Sequence, residues 1–270
     1  MVEAKKVVNP ITNKILSGTS VYRKSLKLIP FLSVKTLIKQ MDEANISKSV
    51  LYAMEAPIVY SSNEYVAKLV KAYPKRFIGF GSVNPLEKDA SDKLEAKIKK
   101  FSFKGCKFHP PLQNFYPNDK KVFPVYETLV KMKIPVVFHT GSTPFGNIVK
   151  LEQANPLLID EVANCFPKLK IMLTHLGTLW NNEAFMVVEK HPNVYIDTSA
   201  YLYEIPKLLD ENTIERIGEN KIIFGTDYPT PFGRKIHRMK DFVESIKRLN
   251  IKENIKNKIF HKNFYRMIKR

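Results

Sequence analysis

The feature that most restricts the fold of this chain is a regular alternation. A short Val/Ile/Phe-rich run is followed by a loop, then by a stretch of helical period, then by another short run. Seven runs are read as strands: 49–54, 77–83, 105–109, 135–139, 170–175, 194–199 and 222–227. Short runs this rich in apolar residues are what parallel strands buried on both faces require. The stretches between them are amphipathic at period 3.6. Ser33 is an N-cap candidate ahead of the stripe Val34, Leu37, Ile38 and Met41. Ser61 and Glu64 have capping-box spacing ahead of Val66, Leu69 and Val70. Leu94, Ile98 and Phe101 line the next helix, and Asn155 with Pro156 opens another as N-cap and first helical residue. From 236 to 270 the pattern is helical apart from a break near Asn250.

Strands alternating with helices imply a parallel sheet with right-handed crossovers. Over 270 residues this spacing predicts one α/β domain spanning 1–270, a closed (β/α)8 barrel. The eighth strand must then lie within 1–32, with 5–10 as its candidate. The alternative is a doubly wound open sheet. That fold calls for a glycine-rich phosphate loop after an early strand, and the chain has none.

Composition narrows the function. The two cysteines, Cys106 and Cys165, exclude a disulfide scaffold and a cysteine-rich zinc site. The apolar runs are too short to span a bilayer, and no signal-peptide pattern is seen, so the expectation is a cytoplasmic protein with no membrane partner. The net charge is +18, from 44 basic and 26 acidic residues. The excess is mostly Lys and is spread over the helices, as at Lys93, Lys97, Lys99 and Lys100. That is the pattern of solvated helix faces rather than of a nucleic-acid surface. A small-molecule substrate is therefore expected and nucleic acid is not; a homo-oligomer is left open.

In parallel α/β folds, chemistry sits at the C-terminal ends of strands. Those positions hold Lys107 and His109, then His139, His175, Asp197 and Asp227. His139 and His175 have a bland reading as buried, hydrogen-bonded histidines, and Asp227 as a turn residue; their shared placement favours function. Lys107 and His109 share a strand face. His109 precedes Pro110 and Pro111 and reads equally well as a turn former. Asp197 reads as a loop cap, His191 as a surface residue, and His237 and His261 as structural.

These residues carry a resemblance. The stretch 103–119, FKGCKFHPPLQNFYPND, is similar to the fourth strand and following loop of the amidohydrolase-related metal-dependent hydrolases, the group that includes aminocarboxymuconate semialdehyde decarboxylase. The stretches 134–141, 171–177 and 223–229 resemble its fifth, sixth and eighth strands, 41–46 the helix before its second strand and 81–85 its third. The resemblance implies a distorted (β/α)8 barrel with one divalent ion, taken as zinc, at its mouth. It makes His139 a metal ligand, His175 a residue that orients water or substrate, and Asp227 both a metal contact and the proton acceptor. Lys107 and His109 would bind substrate, Lys107 by pairing with a carboxylate. The family's first strand normally supplies a His-x-His pair, whereas here no histidine precedes His109. The implied set is His139 and Asp227, with His175 or His109 as a third donor. The expected activity is hydrolysis or non-oxidative decarboxylation of a small carboxylated or cyclic substrate. The alternatives are a metal-independent lactonase-like hydrolase in which Asp227 activates water unaided, and a barrel that has lost its site.

Overall fold

Each of the seven apolar runs becomes a strand in the computed structural model, which describes residues 32–269 apart from 58, 230 and 233–234. They are β1 (Ser49–Tyr52), β2 (Phe77–Phe80), β3 (Cys106–Phe108), β4 (Val136–Phe138), β5 (Ile171–Leu173), β6 (Val194–Asp197) and β7 (Ile222–Ile223). β1 pairs with β2 in parallel, a bridge from Gly81 to Cys106 links β2 to β3, and β3 to β7 form one parallel sheet. Spatial order follows chain order without reversal. A doubly wound sheet would reverse it at a switch point, so the chain is singly wound around a barrel axis. Among the described residues the arc stops at seven strands; the stretch 5–10, expected to close it, lies outside them.

The two faces of each strand go to different places. Val136, Phe138, Ile171, Leu173, Val194, Ile196 and Ile222 are buried in the large core beneath the helices. Val137, Met172, Tyr195 and Ile223, one residue out of phase, join Phe80 in a second cluster inside the barrel. Full burial of each such side chain stabilises the fold by roughly 1.5–3 kcal/mol.

The helices start where short polar side chains answer the first free N–H groups. Ser33 Oγ accepts from Thr36 N at 3.0 Å and starts the helix Val34–Glu43. The second helix, Asn63–Ala72, is capped by Ser62, whose Oγ accepts from Tyr65 N at 3.1 Å, and not by Ser61. Ser61 is buried in a short hairpin, Met54–Glu55 with Tyr60–Ser61, and is already committed to that pairing. Asn155 Oδ1 accepts from Leu157 N, and the helix Leu157–Cys165 follows Pro156. The last helical region begins at Met239 rather than 236, because Lys235–Ile236 forms a short strand.

The C-terminal helix, Asn263–Ile268, closes one end of the barrel. Met267 enters the inner cluster, and Phe264 and Ile268 pack against it. Lys170, just ahead of β5, donates to the carbonyls of Arg266 and Lys269 at 3.1 and 2.7 Å. Asn263 Nδ2 donates to the carbonyls of Glu219 and Ile222. These contacts place the helix at the N-terminal ends of the strands and leave the opposite ends for chemistry. No helix among the described residues is long and apolar enough to cross a membrane.

Candidate active site

The inward phase of the strands decides what reaches the mouth. Position 107 lies level with Val137, Met172 and Tyr195. Two residues further along each strand, on the same face, stand His109, His139, Thr174 and Asp197. A polar layer therefore sits directly above the apolar plug. His109, His139, His175, Lys107 and Asp197 are all buried.

The end of β4 is tied to that of β5. Thr140 Oγ1 donates to the Thr174 carbonyl at 2.8 Å and accepts from Thr174 N at 3.1 Å. This clamp brings two imidazoles together, with His139 Nδ1 and His175 Nε2 3.1 Å apart. His109 stacks on His139 with ring centroids 3.8 Å apart and planes 8° from parallel. His139 Nε2 is buried and has no hydrogen-bond partner. His109 is a turn former, one of the two readings its sequence offered: its Nδ1 accepts from Leu112 N at the start of the helical turn Pro110–Gln113. Gln113 Oε1 accepts from His109 N at 2.9 Å, while its Nε2 reaches the Val83 carbonyl, so the loop is braced against the neighbouring strand end.

Several backbones at the mouth are left-handed. His175, Leu176, Ala200 and Asp227 have φ of 64, 50, 68 and 55°. L-residues enter this region at a cost, and such strain gathers where side chains must be aimed against local preference.

Burial sets the charges. It holds the imidazoles of His109 and His139 well below the ordinary histidine value, with neighbouring rings and Lys107 adding to the effect. His175 is also lowered by burial, although Asp227 and Asp197 pull the other way. Burial brings the Lys107 amine down to about 8, opposed by Asp197 and Asp227. Its Nζ lies 5.3 Å from the centre of the Tyr52 ring. Asp227 is open to water, but the protein packed around its other sides raises its carboxyl, while His175 and Lys107 draw it down. Three imidazoles held towards the neutral form thus stand ring to ring at the strand ends, with the charges of Lys107 and Asp227 acting on His175.

Residues 43–270 match the family model described as amidohydrolase. The chain belongs to the amidohydrolase family. A 2-amino-3-carboxymuconate-6-semialdehyde decarboxylase of Dictyostelium discoideum is 25% identical over 229 residues, covering 68% of this chain and 61% of that protein. The chain thus spans about three fifths of that relative's length. An uncharacterized TIM-barrel protein from Bordetella bronchiseptica superposes with a TM-score of 0.74 at 24% identity, over 91% of this chain and 88% of the other. A dihydroxybenzoic acid decarboxylase from Polaromonas sp. JS666, solved with bound manganese and the inhibitor 2-nitroresorcinol, gives 0.68 at 19% identity, over 87% and 86%. The likeness to these structures places this amidohydrolase among TIM-barrel folds.

Two site residues went unread in the sequence of this amidohydrolase. Asp197, taken for a loop cap, accepts from the backbone N–H of His175, and Ser199 contacts the His175 ring. The only sequence signal was the Asp-x-Ser spacing at a strand end, which puts both on one face. His191, read as a surface residue, is buried and contacts Asp160 at 2.7 Å, because it ends the helix Asn181–Lys190 against the helix Leu157–Cys165 that carries Asp160. Cys106 is buried in the large core and Cys165 is exposed.

Proposed function

We propose that this amidohydrolase is an enzyme acting on a small carboxylated substrate, by hydrolysis or non-oxidative decarboxylation at a carbon held in the barrel mouth. The observation that carries the reading is the meeting of the His109, His139 and His175 rings at the strand ends, on the sheet face that Lys107 shares with His109. Lys107 would pair with the substrate carboxylate, an amine being the group a buried carboxylate needs. The His109 ring would pack against the substrate's face. Asp227 would take up the proton of an attacking water, or return a proton to the carbon that loses its carboxylate. His175 would orient that water or donate to the developing oxyanion.

The donor set suits a divalent ion in kind. His139 offers an unpartnered ring nitrogen and Asp227 a carboxylate, so these two would hold the ion. In number it is sparse: among the described residues no group of three or more His, Cys, Asp or Glu side chains is arranged to hold one. A bound ion would polarise a substrate oxygen and acidify water there. Zinc is the ion the sequence resemblance points to, and manganese is the one in the Polaromonas enzyme. The sparse set also favours a second reading, a metal-independent hydrolase of lactones in which Asp227 activates water unaided.

The test is a substrate panel with metal analysis. Purified protein is offered 2,6-dihydroxybenzoate and related aromatic carboxylates with CO2 release followed, and lactones and amides with acid release followed, before and after chelator dialysis. Turnover of one class, lost by about 10²–10⁴-fold in Asp227→Asn, is expected. Metal content below one per chain, and removable, is expected from two protein donors. Full activity in Asp227→Asn would defeat the mechanism. Tight one-to-one metal surviving dialysis would defeat the sparse-site reading, and activity surviving metal removal would select the lactonase reading.

A further inference from the structure

The hydrogen bonds behind His175 fix where its proton sits. Asp197 Oδ1 accepts from three donors: His175 N at 2.8 Å, Ser199 N at 2.9 Å and Ser199 Oγ at 2.5 Å. Asp197 Oδ1 is the acceptor of two backbone N–H groups, and the single hydroxyl hydrogen of Ser199 goes to the same oxygen. Ser199 Oγ also lies 2.7 Å from His175 Nδ1. Its own hydrogen is committed, so in that contact the ring must donate. His175 therefore carries its proton on Nδ1.

The consequence runs one ring further. In a neutral His175 the other nitrogen, Nε2, holds a lone pair, and it faces His139 Nδ1 at 3.1 Å. His139 then donates from Nδ1, and its own lone pair is left on Nε2. That is the buried ring nitrogen with no partner. Two residues that line the barrel wall behind the histidines thus determine which nitrogen the front histidine offers.

A second feature of the fold protects this arrangement. Gly225 lies against the pair: a Cβ built there would stand 3.0 Å from Ser199 Cβ and 3.4 Å from the Asp197 carboxyl carbon. A side chain at 225 would crowd Ser199, which would have to give by a few tenths of an ångström.

We propose that Asp197 and Ser199 are positioning residues, a proton anchor that sets the tautomer of His175 and through it leaves His139 Nε2 as the open acceptor or ligand of the site. The hydrogen-bond assignment stands apart from the proposed function; only its effect on turnover rests on that reading.

The 270-residue chain with 15N-labelled histidine is examined by long-range 1H–15N correlation. His175 and His139 are expected to show protonated Nδ1 and unprotonated Nε2 in the wild type. The same pattern is expected in Ser199→Thr, which keeps the hydroxyl. In Ser199→Ala and Gly225→Ala the His175 pattern should shift towards Nε2 protonation or an average of the two. An Nε2-protonated His175 in the wild type overturns the proposal. So does an unchanged pattern in folded Ser199→Ala. Should that variant not fold, the wild-type and Thr spectra decide. On any carboxylate that is turned over, Ser199→Ala should lower kcat by about 10–100-fold at unchanged KM, with Ser199→Thr restoring it. A rise in KM alone would overturn the positioning role. If nothing on the panel is turned over, the proposed function fails and the spectra still decide the tautomer.

Discussion

Three imidazoles that would gain protons near pH 6.5 in water are held neutral in this mouth by burial. The unfolded chain takes up those protons at the ordinary value, and the folded chain does so only at lower pH. Below about 6.5 the unfolded state therefore binds more protons, and stability falls as pH is lowered through that window. Urea midpoints should drop between pH 7 and 5, and by less in His109→Gln; an equal drop would place the loss elsewhere. Lys107 has the same sign at the alkaline end. Its folded value is about 8 against an ordinary 10.5, so the unfolded chain holds more protons between these values and stability rises with pH across them. Lys107→Met should abolish that rise. If Lys107 pairs with a substrate carboxylate, the same variant should raise KM by about 10–100-fold, the worth of a charge-assisted hydrogen bond. An unchanged KM would remove Lys107 from the substrate contact.

At the scale of elements, the mouth depends on turns that leave no room for side chains. After β5 the chain turns at Gly177, where φ is 68° and a Cβ would meet Ala184 Cβ at 2.3 Å. Ala184 lies on the helix Asn181–Lys190 and is fully buried, so it has nowhere to retreat. Gly177→Ala combines overpacking with a left-handed backbone and should cost about 1–3 kcal/mol. Urea denaturation measures this, and a loss below experimental error would mean the turn relaxes. The strands and most helix starts were legible for a local reason. A strand buried on both faces must be apolar, and a helix N-terminus needs an acceptor within a few residues, so both leave marks in the neighbouring sequence. Ser61 and Ser62 show where that reading stops. The spacing to Glu64 pointed to Ser61, and the cap fell to Ser62 because the hairpin with Met54–Glu55 had already claimed Ser61.

Across the whole molecule, the two ends of the barrel divide the work. The C-terminal helix fills the floor with Met267, and the polar layer occupies the mouth. Met267→Ala should open a cavity costing about 2–5 kcal/mol and leave KM unchanged, because the floor and the mouth are separated by the apolar layer of Val137, Met172, Tyr195 and Ile223. A large KM change without loss of stability would contradict this division.

The chain alone carried the alternation that makes it a parallel α/β protein and the strand-end positions of His139, His175 and Asp227. Both follow from burial and from the two-residue period of a strand, which are local. It did not carry the roles of Asp197 and Ser199. Their partner, His175, lies 22 and 24 residues away, and nothing local to Asp-Thr-Ser distinguishes a ring-orienting pair from a loop cap. The stack of His109 on His139 and the isolation of His139 Nε2 also arise only when separate strands are set side by side. Hydrogen-bond partners are chosen by the distances that folding creates, and those distances belong to the assembled barrel.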